Sequence, residues 1–149
     1  MQVMDRTLTR EADDDVKTDS VVRRVVAVLE GALASAAGRG LAIVATPIGN
    51  LGDITLRALA TLARADVIYC EDTRHSRTLL DHYGIRRPLR AYHDHNGAAA
   101  RPEILAALAG GKSVALISDA GTPLISDPGY KLVRDVVAAG HAVVALPGP

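Results

Sequence analysis

Leu41-Ala42-Ile43-Val44-Ala45 leads directly into Thr46-Pro47-Ile48-Gly49-Asn50-Leu51-Gly52-Asp53, and this stretch decides the fold. Five apolar residues without polar alternation predict a strand that is buried on both faces. The glycines and the proline that follow predict a loop with exposed backbone N–H groups. The same order of strand, loop and helix recurs along the chain, with strands predicted over residues 41–45, 67–70, 88–92, 113–118 and 141–146. The sequence therefore predicts an α/β fold with a mostly parallel five-stranded sheet flanked by helices.

Capping residues indicate where the intervening helices begin. Asp53 or Thr55, and then Asp72 or Thr73, are the predicted N-caps of the first two of these helices. Pro102 is predicted at the first position of the next helix, where a missing N–H group costs little.

The first 40 residues differ from the rest. Residues 1–19 carry six acidic and three basic side chains without apolar periodicity, which predicts a disordered acidic tail. Residues 20–40 are predicted as an amphipathic helix and a linker, with Asp19 or Ser20 as the N-cap. Its apolar residues recur at steps of three and four: Val22, Val25, Val26, Leu29 and Leu33. Residues 41–149 form the predicted α/β domain.

Composition excludes several classes of protein. Seventeen basic residues balance seventeen acidic ones, and 48% of the 149 residues are hydrophobic, so neither a disordered chain nor a constitutively basic nucleic-acid binder is expected. No apolar run reaches the roughly 20 residues of a membrane span. The single cysteine, Cys70, excludes an intrachain disulfide and favours a reducing compartment, which predicts a cytoplasmic protein.

Ligands of parallel sheets bind beyond the carboxyl ends of the strands, so the loops at those ends are the candidate site. After the second strand comes Glu71-Asp72-Thr73-Arg74, in which the acidic pair also suits a helix N-terminus. The basic residues of this region form a candidate phosphate-binding patch, although a solvated helix face is the alternative. They are Arg74, Arg77, Arg86, Arg87 and Arg90.

Two further strand-end loops carry polar side chains. His93 and His95 follow the third strand; without a third ligand they are weak evidence for a metal, and substrate contact or proton transfer is the alternative. The loop of residues 118–130 is longer than a plain connection requires. Within it, Asp119 is placed to accept hydrogen bonds from a ligand hydroxyl or amino group, and Asp127 is a predicted N-cap.

Five segments, taken together, resemble the tetrapyrrole methylase family: residues 45–55, 71–74, 92–96, 118–130 and 146–149. The resemblance implies a two-domain α/β protein that binds S-adenosylmethionine (SAM) between its domains and forms a homodimer. Ser118-Asp119-Ala120-Gly121 replaces the family's common Gly-Asp-Pro loop, as in the branch that methylates a cytidine ribose 2′-hydroxyl in 16S ribosomal RNA of the small ribosomal subunit.

The resemblance also implies roles for particular residues. The implied cofactor-binding residues are Pro47, Ile48, Gly49, Asp119, Ala120, Gly121, Thr122, Pro147 and Gly148. The base that accepts the hydroxyl proton is not identified, and Glu71, His93 and His95 are its candidates. A small-molecule methylase acting on tetrapyrroles and a non-catalytic interaction module are the alternatives. Because the implied second domain would supply the other wall of the cleft, this chain alone is predicted to bind SAM weakly and to transfer no methyl group.

Overall fold

The computed structural model describes residues 5–35, 38–123 and 127–149, with the backbone only for residues 5–16 and 127. The strands are β1 Gly40–Val44, β2 Val67–Cys70, β3 Leu89–Ala91, β4 Ser113–Ile117 and β5 Val143–Leu146. The helices are α1 Asp5–Ser35, α2 Leu56–Arg64, α3 Thr73–His82, α4 Gly97–Ala109 and α5 Asp127–Ala138. A short 3-10 turn, Leu51–Asp53, lies between β1 and α2.

The five strands form one parallel sheet in the order β3-β2-β4-β1-β5. The α/β fold predicted from the sequence is therefore confirmed, and each observed strand lies within a residue or two of its predicted position. Leu41 opposite Val114 and Leu41 opposite Val143 fix the register of β1 between its neighbours β4 and β5. Since all strands point the same way, the loops that follow them share one edge of the sheet, which we call the carboxyl edge.

Alternating strand residues build a core on each face of the sheet. Val44, Ile68 and Ile117 pack with α2 and α3 residues such as Leu62 and Leu80 on one face. The other face packs against α4 and α5. It includes Leu41, Ile43, Tyr69, Ile104, Leu116, Leu132 and Val136. A strand buried on both faces needs apolar residues at consecutive positions, which is the pattern that the sequence shows.

Two predicted caps are confirmed. Thr55 Oγ1 accepts the Ala58 N–H at 3.0 Å, and Asp72 Oδ1 accepts the Arg74 N–H at 2.8 Å. Each cap satisfies a backbone donor that has no partner within its own helix.

The predicted start of α4 at Pro102 is wrong, because α4 begins at Gly97 and holds Pro102 inside it. Asn96 explains the earlier start: its Oδ1 accepts the His93 N–H at 2.8 Å, its Nδ2 donates to Ala91 O at 2.8 Å, and the chain turns into the helix there. Pro102 removes the donor that would reach the Ala98 carbonyl, and both residues lie on the exposed side of the helix, where water can replace it.

The structure also differs from the prediction at the N-terminus. Residues 5–19 belong to α1, so Asp19 and Ser20 lie inside the helix and are not its cap. Residues 5–30 contain no glycine or proline and include good helix formers such as Leu8, Glu11 and Ala12, so the helix can continue back from residue 20 without apolar periodicity. Residues 1–4 of the predicted tail and residues 36–37 of the predicted linker lie outside the described residues. Within the described part of the chain, no helix is both long and apolar enough to cross a membrane.

Candidate functional site

The carboxyl edge gathers the strand-end loops in the order of the strands. Along it lie the loops that begin with His93 after β3, Glu71 after β2, Asp119 after β4, Pro47 after β1 and Pro147 after β5. The candidate base residues therefore lie at the β3–β2 end, and the implied cofactor-binding residues lie over β4, β1 and β5. In the loop after β4, residues 124–126 fall outside the described part.

The loops after β1 and β4 are joined by hydrogen bonds. Thr46 and Gly121 exchange backbone hydrogen bonds of 2.9 and 3.0 Å. The buried Thr46 hydroxyl donates to Ser118 O at 3.1 Å, and the Ser118 hydroxyl donates to Gly121 O at 2.9 Å. Two of the three implied cofactor segments are thus held as one rigid unit.

Two glycines, Gly121 and Gly148, allow backbone segments to lie close to neighbouring residues at the carboxyl edge. Gly121 has a φ of +77°, which side-chain-bearing residues rarely adopt, and a Cβ there would contact Ile48 at 3.4 Å. A Cβ at Gly148 would lie 2.5 Å from the Ala45 Cβ, so only glycine lets the segment after β5 run against the end of β1. Ile48, Ala120 and Thr122 are exposed at the same edge and available to a ligand.

Asp119 also connects to the loop after β2. Its Oδ1 accepts the Asp72 N–H at 3.3 Å, which ties the start of α3 to the end of β4. Asp72 in turn accepts hydrogen bonds from the Arg74 side chain and backbone, and these hold the pKa of the Asp72 carboxyl below its usual range. The same contact raises the pKa of Arg74.

A small cavity of about 30 Å³ lies where these loops meet. Its walls are Thr46, Pro47, Leu51, His75, Ser76, Leu79, Ser118 and Asp119. Ser76 is 2% exposed, and its Oγ has no hydrogen-bond partner among the residues that the structure describes. Burial raises the pKa of the nearby Cys70 thiol, and a weak contact with the Ser76 hydroxyl opposes that rise. A thiol is a weak partner for a hydroxyl, so this contact does not replace a full hydrogen bond.

Sequence reasoning missed Ser76. The signal that could have identified it is a polar residue on the inward face of α3, three positions before the buried Leu79. Cys70 is a core residue of β2. It is fully buried, and this burial raises the pKa of its thiol, which keeps it protonated and unreactive.

The candidate base residues differ in burial. Glu71 and His95 are exposed, whereas His93 is partly buried and its Nδ1 has no hydrogen-bond partner within the described residues. The His93 and His95 rings meet edge to face with centroids 5.9 Å apart. In the described ranges, no three His, Cys, Asp or Glu side chains come together as metal ligands.

Two tyrosine hydroxyls donate hydrogen bonds that hold segments near the carboxyl edge in place. The Tyr83 hydroxyl donates to Leu51 O at 2.7 Å and holds the loop after β1 against α3. The Tyr92 hydroxyl donates to Pro128 O at 2.6 Å and fixes the start of α5, and burial raises the pKa of Tyr92. No role was predicted for either tyrosine from the sequence.

The five arginines that lie close together in sequence are not brought into one patch. Arg74 and Arg77, on the first turns of α3, lie at the carboxyl edge. Arg86 and Arg87 precede β3 and lie at the opposite edge, where Arg87 donates to Ala63 O at 2.7 Å near the end of α2. Arg90 lies in β3 and forms an ion pair with Glu103 of α4 at 3.2 Å. The 10-residue helix α3 separates the first pair from the second.

A parallel sheet whose strand-end loops interlock around Asp119, with a glycine-dependent approach after β5, defines a class of α/β domain that binds ligands along its carboxyl edge. The family model of Tetrapyrrole (Corrin/Porphyrin) Methylases matches residues 40–149, and the chain belongs to this family.

Two relatives show which members of this family the chain resembles in sequence. Over 109 residues the chain is 67% identical to Ribosomal RNA small subunit methyltransferase I of Mesorhizobium japonicum, a match that covers 73% of this chain and 37% of the relative. It is 60% identical over 108 residues to the Haemophilus influenzae protein of the same name, a match that covers 72% of this chain and 38% of that relative. The chain thus spans well under half the length of these relatives.

Solved structures show the same fold. The structure resembles uroporphyrin-III-C-methyltransferase from Thermus thermophilus with a TM-score of 0.59 and 22% identity, over 74% of this chain and 47% of that one. It also resembles a conserved hypothetical protein from Aeropyrum pernix K1, with a TM-score of 0.60 and 25% identity, over 75% of this chain and 39% of that one. The first likeness is too low in identity to carry more than the fold.

Proposed function

We propose that residues 40–149 form one wall of the active site of a SAM-dependent methyltransferase that modifies the 2′-hydroxyl of a cytidine in 16S ribosomal RNA. The observation that carries this proposal is the 67% identity to a ribosomal RNA methyltransferase over 109 residues. The family model matches residues 40–149, which include every loop of the carboxyl edge. The substrate would be the small ribosomal subunit, the location cytoplasmic, and the full-length enzyme a homodimer.

The residues at the edge fit SAM. Gly49 has open space where a side chain would lie, which allows close contact with its backbone, and Asp119 offers a carboxylate to hydroxyl or ammonium donors. The approach of Gly148 to Ala45 places the segment after β5 beside the same loops. When bound, SAM supplies a methyl group on a sulfonium that is transferred by in-line displacement, so the main task of this chain is to position the reactants.

The two partnerless buried atoms support ligand binding at this edge. Leaving a buried polar atom unpaired costs about 1–3 kcal/mol, so most native structures avoid it. Ser76 Oγ and His93 Nδ1 are the two such side-chain atoms in the described residues, and both lie on loops or helix turns that follow β2 and β3. A site that gains hydrogen bonds when its ligand binds would show this arrangement.

The order of the loops suggests how the work is divided. SAM would lie over β4, β1 and β5, and the ribose would approach over β2 and β3, where His93 and Glu71 follow the strands. Among the candidates Glu71, His93 and His95, we propose His93 as the base that takes the hydroxyl proton, because it is partly buried and its Nδ1 has no partner within the described residues. Arg74 and Arg77 flank this end of the edge and would contact RNA phosphates.

A chimera tests the proposal directly. Residues 40–149 would replace the corresponding segment of the Mesorhizobium japonicum relative, and transfer of labelled methyl from SAM would be measured on 30S subunits and on uroporphyrinogen. Methylation of 30S subunits is expected, with loss of at least about 100-fold in His93→Gln. Methylation of uroporphyrinogen alone would favour the small-molecule alternative.

The isolated chain provides a second measurement. Because residues 40–149 would form only one wall of the proposed cleft, calorimetry should show SAM binding to the chain that is much weaker than to the chimera, with no methyl transfer. Tight binding together with turnover by the isolated chain would contradict this. Binding of neither SAM nor RNA by the chimera would leave only the non-catalytic module.

A further inference from the structure

The outer part of α1 carries an apolar face that nothing in the described structure covers. Val21, Val22, Val25, Val26 and Val28 are 43–60% exposed, although valine is normally among the most buried residues. They follow each other at the spacing of one helix face. We call these five residues the valine stripe.

The valine stripe continues the face by which α1 packs on the domain. Leu29, Ala32 and Leu33 are partly buried, and the Leu33 carbonyl accepts a 2.7 Å hydrogen bond from Arg64 Nη1 at the end of α2. Contacts between α1 and other elements are dominated by α2. The apolar face therefore begins under the domain and then runs out into solvent for about two turns, or roughly 11 Å.

Charge is distributed unevenly along this face. Toward the N-terminus, helix positions in line with the valine stripe are occupied by Arg10, Glu11, Asp14 and Asp15, so three acidic residues and one basic residue leave this end of the face acidic. At the other end of α1, an open groove of about 650 Å³ between α1, α2 and the sheet is bordered by the exposed Arg39, Arg57 and Arg64.

We propose that the valine stripe binds the same stripe of a second copy of this chain, with the two α1 helices antiparallel. An antiparallel pair centred between Val21 and Val28 places the acidic end of each helix beside the basic end of its partner, and a parallel pair would bring the acidic ends together. Such a two-fold contact uses the same surface on both copies. It also covers valines that would otherwise stay in water.

This interface lies outside residues 40–149, which the methylase family model matches. It is therefore independent of any homodimer contact inside the methylase domain and of the proposed activity. Because one short helix pair buries less than the roughly 800 Å² per partner of a standard interface, we expect a dissociation constant in the micromolar range.

Sedimentation equilibrium of the full chain tests self-association. We expect a monomer–dimer equilibrium that weakens at high salt, and an at least about tenfold higher dissociation constant in the double variant Val22→Asp, Val25→Asp. The matched control is Ala27→Asp, Ala34→Asp, which adds the same charge on the opposite, exposed face and should leave the equilibrium unchanged. Circular dichroism of both variants checks that α1 remains helical.

Cysteine cross-linking tests the orientation without destabilising charges. The native Cys70 is fully buried, so it does not interfere. An antiparallel pair predicts disulfides between a Val21→Cys chain and a Val28→Cys chain in excess over either homodimer, whereas Ala27→Cys chains stay uncrosslinked. A chain that is monomeric at every concentration, or preferred Val21→Cys homodimers, would overturn the proposal. If the valines were protected from labelling in a monomeric chain, another part of the protein would cover them. That result would also overturn the proposal.

Discussion

Thr46 and Gly121 lie 75 positions apart in the sequence and exchange both of their backbone hydrogen bonds, at 2.9 and 3.0 Å. This pair extends the parallel sheet by a short antiparallel bridge beyond the ends of β1 and β4. The Thr46 hydroxyl adds a bond to Ser118 O, so three donors fix the loops relative to each other. A ligand at the carboxyl edge therefore meets a surface that is formed before it binds.

Removing the Thr46 hydroxyl should destabilise the domain, and removing the Ser76 hydroxyl should not. Thr46→Val deletes a buried donor and leaves the Ser118 carbonyl with fewer partners, so we expect a loss of about 1 kcal/mol in the free energy of unfolding. Ser76→Ala deletes a buried hydroxyl that has no partner within the described residues, so the change should stay within about 0.5 kcal/mol or be stabilising. Urea unfolding measures both, and equal losses in the two variants would contradict the assignment.

Gly40 and Gly140 offer a matched test of steric constraint. Both have positive φ, at +126° and +79°, but a Cβ at Gly40 would lie 2.5 Å from the Ala142 carbonyl oxygen, and a Cβ at Gly140 would meet nothing within 4 Å. Gly140→Ala should cost about 1 kcal/mol from backbone strain alone. Gly40→Ala should cost at least about 2 kcal/mol more, because β1 and β5 must separate where Leu41 donates to Ala142 O. A similar melting temperature for both variants would rule out this contact.

Local sequence patterns were sufficient for the sheet, and they failed where distant parts of the chain meet. Consecutive apolar residues can only be buried on two faces, which is why β1 and β4 could be located and the fold class predicted. The early start of α4 depends on Asn96 bonding to the Ala91 carbonyl, a contact that no periodicity reveals. The division of the arginines depends on the length and direction of α3, so proximity in sequence was misleading.

The candidate site was predictable in part. Strand-end position identified the loops of Asp119 and His93, because parallel strands bring their carboxyl ends to one edge. Ser76 was missed because a single serine on a helix is common and its lack of a partner is a property of the packed structure. Which loops interlock was also hidden, since the bridge between Thr46 and Gly121 is made of backbone atoms whose partners no side-chain pattern specifies.

Asp66 should make stability depend on pH in the acidic range. Its Oδ2 accepts the Ser113 N–H at 2.8 Å and the Ser113 hydroxyl at 3.1 Å, and these bonds hold the pKa of the Asp66 carboxyl below its usual value. A lowered pKa in the folded state contributes stability above the unfolded pKa and loses it as pH falls through the folded pKa. The contribution should thus be complete at neutral pH and decline below about pH 4.

Asp66→Asn tests this dependence. At pH 7 the variant should be less stable than the parent by up to about 1 kcal/mol, a modest difference because the carboxylate is largely exposed to solvent. The difference should shrink in denaturation curves measured from about pH 4 down to pH 2. Asp94→Asn, at an exposed loop position, is the control. If the difference in the free energy of unfolding between the parent and Asp66→Asn were constant over this pH range, the charge of Asp66 would not contribute to the pH dependence of stability.

The position of the arginines predicts which of them RNA methylation needs. In the chimera proposed above, Arg74→Ala with Arg77→Ala should lower kcat/KM on 30S subunits by about tenfold or more, because both side chains flank the end of the edge at which the ribose would arrive. Their removal should also reduce the salt dependence of RNA binding, since two fewer phosphates would be neutralised. Arg86→Ala with Arg87→Ala removes the same charge from the opposite edge and should change kcat/KM by less than about twofold. Affinity for SAM, measured by calorimetry, should be the same in both double variants. If Arg86→Ala with Arg87→Ala lowered kcat/KM as much as Arg74→Ala with Arg77→Ala, RNA would have to contact both edges of the sheet. The placement of the ribose over β2 and β3 would then be wrong.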